Sequence, residues 1–237
     1  MIRYSVVIPA FNEVDRLPPY LEEVVGFFDG RGEPYEVIVV DDGSTDATVP
    51  TVRALAARYP AVRVLQLGRN RGKGAAVRAG MLGATGELRL FTDADGATPI
   101  AELKRLEPAL TAGIDVVIGS RAMADQAVAV RAHPHRVVAG RLFNWLVARL
   151  GLRGVADSQC GFKLFRAAAA ERLFRRLETP GFGFDVELLL RAQADGCRVE
   201  EVAVNWADQA GSKVGVLTSG PGMLVEVLRA RCRIARR

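Results

Sequence analysis

The sequence predicts an α/β fold: a mostly parallel, doubly wound sheet flanked by helices. Three observations predict it. Short β-branched runs recur through the first half without polar alternation, as strands covered on both faces do. Segments with helical spacing separate them, as crossovers between parallel strands require. Polar clusters follow directly where the strands end, and open parallel sheets bind ligands beyond the carboxyl ends of their strands.

The elements read in order as follows. "YSVVIPAFNE" is a strand that stops near Pro9, and "DRLPPYLEEVVGFF" places Leu17, Leu21, Val24, Val25 and Phe28 on one helical face. "YEVIVVDDGS" is a second strand, after which Asp46 caps the helix "ATVPTVRALAARY". "VRVLQLG" is a third strand and "GKGAAVRAGMLGA" a helix. "ELRLFTD" is a fourth strand, "IAELKRLEPALTAG" a helix and "IDVVIGSR" a fifth strand. After Arg121 the alternation stops. A polar stretch to His135 reads as a mobile loop, and "RVVAGRLFNWLVARLGL" as a basic amphipathic helix. "CGFKLF" is a strand, "FDVELLLRAQADG" a helix, "CRVEEVAVNW" a strand and "PGMLVEVLRARCRIARR" a terminal helix. No repeat or low-complexity linker divides the chain. It is therefore read as one domain over 1–237, with a nucleotide-binding half (1–121) and an acceptor half (122–237).

Composition narrows the class. The 237 residues are 49% hydrophobic and 25% charged, enough for a sizeable core without staples. Three widely spaced cysteines, Cys160, Cys197 and Cys232, make neither a disulfide framework nor a zinc site and point to a reducing compartment. Cys160 is expected in the core, and His133 and His135 at the surface. Neither a signal peptide nor an apolar run of about 18 residues is seen, so a cytoplasmic location is expected, without a membrane span. The net charge of +5 suits an acidic partner or simple solubility. No aromatic stacking platform or recognition helix indicates nucleic acid.

Four strand ends deliver polar residues to one edge: Asn12 and Glu13, Asp41 to Ser44, Asp93 to Asp95, and Gly119 to Arg121. Neither of two common nucleotide motifs is present. The first strand lacks G-x-G-x-x-G, and "LGRNRGKGAA" has Leu67 and Gly74 where a phosphate-binding loop needs Gly and Ser or Thr. Asp93 and Asp95 stand one residue apart at the end of a buried strand. Hard divalent cations such as Mg²⁺ or Mn²⁺ typically take one or two carboxylates and complete their shell with waters and substrate phosphates. The pair therefore suits a metal bridging a diphosphate.

Taken together, "SVVIPAFNE", "EVIVVDDGSTDAT", "TDADGATP" and "GSR" resemble family 2 glycosyltransferases with the GT-A fold. "DSQCGFKLF", "GFGFDVELLLRA", "GRNRGKGAAVRAGM" and "VEEVAVNWADQAGSKV" resemble the dolichyl-phosphate glucosyltransferase branch, near the dolichyl-phosphate mannose synthases. The resemblance implies an inverting hexosyltransferase that uses a UDP-sugar, UDP-glucose above all, and a polyprenyl phosphate acceptor. It implies that Pro9, Ala10, Phe11 and Glu13 line the nucleoside pocket. Asp41 would accept hydrogen bonds from uracil or ribose, and Asp42 would lie beside the pyrophosphate. Asp93 and Asp95, with Ala94 between them, would hold the metal. Lys73 would reach the donor, although it reads equally as a solvated lysine at a helix start. Ser212 and Lys213 would belong to a segment closing over the diphosphate.

Arg121, Arg136 and Arg141 are candidates for the acceptor phosphate, since guanidinium forks match phosphate oxygens. Asp157 is the candidate base or orienting group. Asp185 and Glu187 are further candidates, or else helix-capping residues facing water. A lipid monophosphate has a second pKa of about 6 and needs little help from a base at neutral pH. Two basic amphipathic segments, one around Leu142, Phe143, Trp145 and Leu146 and the other at the C-terminus, suit a peripheral position on the cytoplasmic face of an anionic membrane. Either serves equally as a dimer face. The alternatives are a transferase using GDP-mannose or a soluble hydroxyl acceptor, and a non-catalytic module recruited to membranes. A sugar nucleotidyltransferase is disfavoured because "PAFNEVDR" lacks a Gly-rich basic loop.

Overall fold

The structure, a computed structural model, describes residues 1–111, 113–209 and 216–235. A seven-stranded sheet in the order β3-β2-β1-β4-β7-β5-β8 forms its centre. The strands are β1 (Tyr4–Ala10), β2 (Tyr35–Asp41), β3 (Val62–Gln66), β4 (Leu88–Thr92), β5 (Val116–Ser120), β7 (Phe162–Arg166) and β8 (Val199–Ala203). Every pairing is parallel except those of β7, which runs antiparallel between β4 and β5.

Helices cover both faces, which explains the missing polar alternation. Odd and even side chains of each inner strand enter different cores. Val6, Ile8, Val37 and Val39 pack with α1 (Leu17–Asp29), α2 (Thr48–Arg58) and α4 (Leu103–Thr111). Val7, Ile38, Val40 and Phe91 pack with α3 (Lys73–Gly83), α6 (Ala167–Arg176) and α7 (Phe184–Ala194), joined by Val227 of α8 (Val216–Ala235). Asp46 is not the N-cap that the sequence suggested: that position is Ala47, which has no side-chain cap, and Asp46, one residue earlier, accepts the backbone N–H of Thr48 at 2.9 Å.

The second half departs from the expected order in two places. The stretch expected to be a mobile loop carries a short strand, β6 (Val130–Arg131), paired in parallel with β9 (Trp206–Ala207). Asn205 holds this ribbon down: its Oδ1 accepts the Ala129 N–H at 2.9 Å and its Nδ2 donates to Glu102 at 2.8 Å. Helix α6, unforeseen in the sequence, follows β7 without a connecting loop. The expected basic helix is α5 (Pro134–Arg149).

A further correction concerns Asp185 and Glu187, which do not face water. Glu187 is fully buried and binds the buried Arg191 at 2.7 Å and the Thr179 N–H at 2.7 Å. Arg233 of α8 also reaches it, at 3.2 Å. Removing one partner of a buried pair strands the other charge, which costs about 3–5 kcal/mol. Glu187→Ala should therefore lower the unfolding free energy by about 3 kcal/mol in urea titrations; a loss below about 0.5 kcal/mol, the size of an ordinary surface change, would contradict this network.

Candidate active site

The site is assembled on the carboxyl edge of the sheet, and the antiparallel β7 completes it. Because β7 runs backwards, its first residue, Phe162, pairs with Thr92 at the end of β4, and Lys163 pairs with Ile118 of β5. The segment leading into β7, which carries Asp157 and Cys160, is thereby delivered to the edge where Asp93 and Arg121 emerge.

Two loops at this edge hold each other. Asn12 takes a left-handed conformation (φ 54°), which Asn tolerates better than most residues. Its Oδ1 accepts the Thr45 N–H at 2.8 Å, and its own N–H donates to Ser44 Oγ at 2.9 Å. Asp41 and Asp42 are both buried. Asp41 folds its own turn by accepting the N–H groups of Gly43 and Ser44, at 3.3 and 3.1 Å. Asp42 accepts the N–H groups of Arg71 and Gly72, at 2.7 and 2.8 Å. That clamp sets the start of α3, and Gly72 is glycine for two reasons: its φ is 100°, and a Cβ there would run into the Pro180 carbonyl. Lys73, the first residue of α3, is thereby aimed at the end of β4.

Around the acidic pair the charges alternate. Lys73 Nζ lies 2.7 Å from Asp93 Oδ1. Arg16 binds Glu13 at 2.6 Å and lies 3.7 Å from Asp95. Gly161 lets Asp93 approach, since a Cβ at Gly161 would overlap the Asp93 carboxylate. The Asp93 N–H also donates to the Gly161 carbonyl, at 3.0 Å. Burial, and then the charge of Asp93, raises the pKa of Asp95. Burial works against the charge of Lys73, but Asp93 and then Asp185 outweigh it and raise its pKa.

These residues fit a hard divalent cation. Two carboxylates are only partly shielded, with side-chain exposures of 33% for Asp93 and 23% for Asp95, and the charge of one opposes ionisation of the other. No group of three or more His, Cys, Asp or Glu suited to a metal occurs among the described residues. An all-protein cage is therefore absent there, and the shell would be completed by phosphate oxygens and water.

Arg121 and Asp157 form the other pole. The Arg121 Nε and Nη2 donate to the two Asp157 oxygens at 2.7 and 2.8 Å, and its backbone N–H donates at 3.0 Å. The guanidinium carbon lies 5.3 Å from the centroid of Trp206. Burial would raise the Asp157 pKa, but the Arg121 charge and hydrogen bonds overcome it and hold the carboxyl below its usual range. A carboxylate so held is a poor proton acceptor, so the geometry favours orientation of Arg121 over base catalysis. Cys160 is buried, and burial pushes its thiol up to about 12, so it is an inert core residue.

The remaining expected residues fall in different places. Pro9 and Ala10 are buried at the end of β1, with Phe11 half-buried after them. Ala94 is buried between the two acids. His133 and Arg141 are exposed. The side chains of Arg136 and His135, together with Ser212 and Lys213, lie outside the described residues. Sequence reading missed Arg16 and Lys163. The signal for Lys163 was present, since a lysine inside the apolar run "CGFKLF" must find a buried partner. It donates to the Cys160 carbonyl at 2.6 Å and to Asp185.

The fold and an acidic pair flanked by cations at the sheet edge are those of a glycosyltransferase. The chain belongs to glycosyl transferase family 2, whose family model matches residues 5–174. It is 43% identical over 227 residues to the dolichyl-phosphate beta-glucosyltransferase of Drosophila melanogaster, covering 90% of this chain and 69% of that protein. Its identity to the Homo sapiens dolichyl-phosphate beta-glucosyltransferase is 39%, covering 97% and 75% of the two chains. Among solved structures it superposes with TM-score 0.75, at 22% identity, on Mycobacterium tuberculosis glucosyl-3-phosphoglycerate synthase in complex with Mn²⁺, UDP-glucose and phosphoglyceric acid, covering 97% of this chain and 80% of that one. That likeness shows the GT-A fold. The expected enzyme class thus stands: a glycosyltransferase, of the hexosyltransferase kind.

Asp157 offers a test by pH. Its folded pKa is depressed, so its contribution to stability is fully present above the unfolded value of about 3.9 and is lost as pH falls through the folded one. Asp157→Asn should therefore be less stable than the parent by on the order of 2 kcal/mol at neutral pH, with the gap closing below about pH 4. A gap that widens on acidification would contradict the pairing.

Proposed function

We propose that the protein transfers glucose from UDP-glucose to a polyprenyl phosphate of the dolichyl type, with inversion at the anomeric carbon and with Mg²⁺ or Mn²⁺. The observation that carries the reading is the placing of Asp93 and Asp95 against Lys73 and Arg16, with the clamped Arg121 at the same edge. The names of the relatives support the acceptor, and the Mn²⁺ and UDP-glucose bound to the synthase of like fold support the donor and metal. The single-domain reading, a donor half (1–121) and an acceptor half (122–237), belongs to the same proposal.

In this reading the loop Pro9–Glu13 and Asp41 frame the nucleoside, and Asp42 holds the backbone beside the diphosphate. The divalent cation, when bound by Asp93 and Asp95, neutralises charge on the departing diphosphate. Lys73 adds a point charge there. Arg121, fixed by Asp157 and backed by Trp206, presents its guanidinium to the acceptor phosphate, aided by Arg136 and Arg141. The acceptor is largely dianionic at neutral pH, so its oxygen attacks the anomeric carbon as the C–O bond to UDP breaks, with no proton to remove.

No helix among the described residues is long and apolar enough to cross a membrane. Helix α5 instead exposes Val138, Leu142 and Trp145 at helical spacing, with relative exposures of 67%, 58% and 52%. Arg149 lies 5.0 Å from the Trp145 ring centroid. On the opposite side α5 is tied to the site, where Asn144 Oδ1 accepts Ser158 Oγ–H at 2.8 Å beside Asp157. An apolar stripe with flanking arginines suits an anionic membrane surface, and we place the enzyme at the cytoplasmic face.

The test is one incubation series. UDP- and GDP-sugars are offered with Mn²⁺ and polyprenyl phosphate in anionic vesicles, and products are read by mass. Glucosyl-phosphoryl-polyprenol from UDP-glucose is the expected product, lost with Asp95→Asn. Transfer only to a soluble hydroxyl acceptor, or only from GDP-mannose, would replace this reading. No turnover of any donor would favour the non-catalytic module.

A further inference from the structure

Behind the acidic pair lies a second pair of charges that the reaction does not use. Lys163 on β7 is fully buried, and Asp185 in the first turn of α7 is nearly so. They bind each other, and Lys163 also donates to the Cys160 carbonyl at 2.6 Å. Burying an ion pair is costly, and an apolar pair of similar volume is often as stable. The pair lies close behind Lys73. The two ammonium groups flank one ring: Lys73 Nζ is 5.5 Å and Lys163 Nζ 5.7 Å from the centroid of Phe91. Helix α7 packs on α3, whose first residue is Lys73.

Lys73 thus touches one carboxylate, Asp93, while the Lys163–Asp185 pair sits against the same Phe91 ring. Its ammonium is a compact charge on a flexible four-carbon stem, unlike a fixed guanidinium fork. A divalent ion at Asp93 and Asp95 would meet that ammonium at 2.7 Å from an Asp93 oxygen, and the two cations compete for the same atom.

We propose that Lys73 is a resident cation of the metal site: it holds Asp93 while no divalent ion is bound, and passes to Asp185 when one arrives. This inference rests on the metal site of the proposed function and adds a consequence. Lys73 weakens metal binding in the free enzyme. The diphosphate, which welcomes both cations, restores it, so metal and nucleotide bind together. The Lys163–Asp185 pair acts by positioning Lys73 and does not touch substrate.

The test is Mn²⁺ binding, followed by the electron paramagnetic resonance of free Mn²⁺, with and without UDP. The parent should bind Mn²⁺ weakly alone and more tightly with UDP. Lys73→Met should tighten binding in the absence of UDP by roughly tenfold or more, as loss of a neighbouring charge allows. Lys73→Arg, which keeps the charge, should leave it weak. Lys163→Met combined with Asp185→Asn removes both buried charges, leaves net charge unchanged and strands neither partner. It should weaken Mn²⁺ binding, because Lys73 has lost its second seat, and adding Lys73→Met should cancel that weakening. If Lys73→Met fails to tighten binding, or if the double change weakens it equally with and without Lys73, the exchange is overturned. If the parent binds no Mn²⁺ even with UDP, the metal site itself falls, and the exchange with it.

Discussion

Two carboxylates on one strand end, Asp93 and Asp95, impose the constraint from which the rest of the site follows. The charge of Asp93 opposes the ionisation of Asp95, and burial opposes it further. Such a pair persists only if cations surround it. Arg16 arrives from the loop after β1, Lys73 from α3 and Arg121 from β5, and each is itself held by an acid: Glu13, Asp93 and Asp157. The alternation is the electrostatic form that the proposed dication and diphosphate would meet.

Topology supplies those charges from distant parts of the chain. The parallel strands bring their carboxyl ends to one edge, but parallel order alone would leave the Asp157 segment on the far side. Reversal of β7 brings it between Asp93 and Arg121, and Gly161 lets the two backbones close up. Beside it, the ribbon of β6 and β9 sets Trp206 near Arg121, while the Ala207 N–H donates to the Ala97 carbonyl at 2.9 Å. The two halves of the chain therefore share one sheet.

The first half was legible because burial on both faces writes itself into sequence as unbroken apolar runs, and strand ends as clustered acids. The pairing of β7 was not, since "FKLFR" reads alike whether it runs parallel or antiparallel. Helix α6 was hidden because it begins immediately at the end of β7, so that no loop marks its start. The two-residue strands β6 and β9 are far too short for any period and depend on contacts between remote segments. Asp157 stood out as a candidate but not as the partner of Arg121, because their pairing spans a loop, a helix and a reversal of strand direction. Lys163 was concealed by its apolar neighbours, although a buried lysine always implies a partner.

The central claim is that Asp93 and Asp95 hold a cation against the diphosphate of a sugar nucleotide. Anomalous diffraction from crystals grown with Mn²⁺ and UDP-glucose tests it most directly. The predicted result is a manganese peak in the coordination sphere of this acidic pair, with the uridine along the loop after β1. A peak elsewhere, or a nucleotide bound away from Asp93 and Asp95, would contradict it.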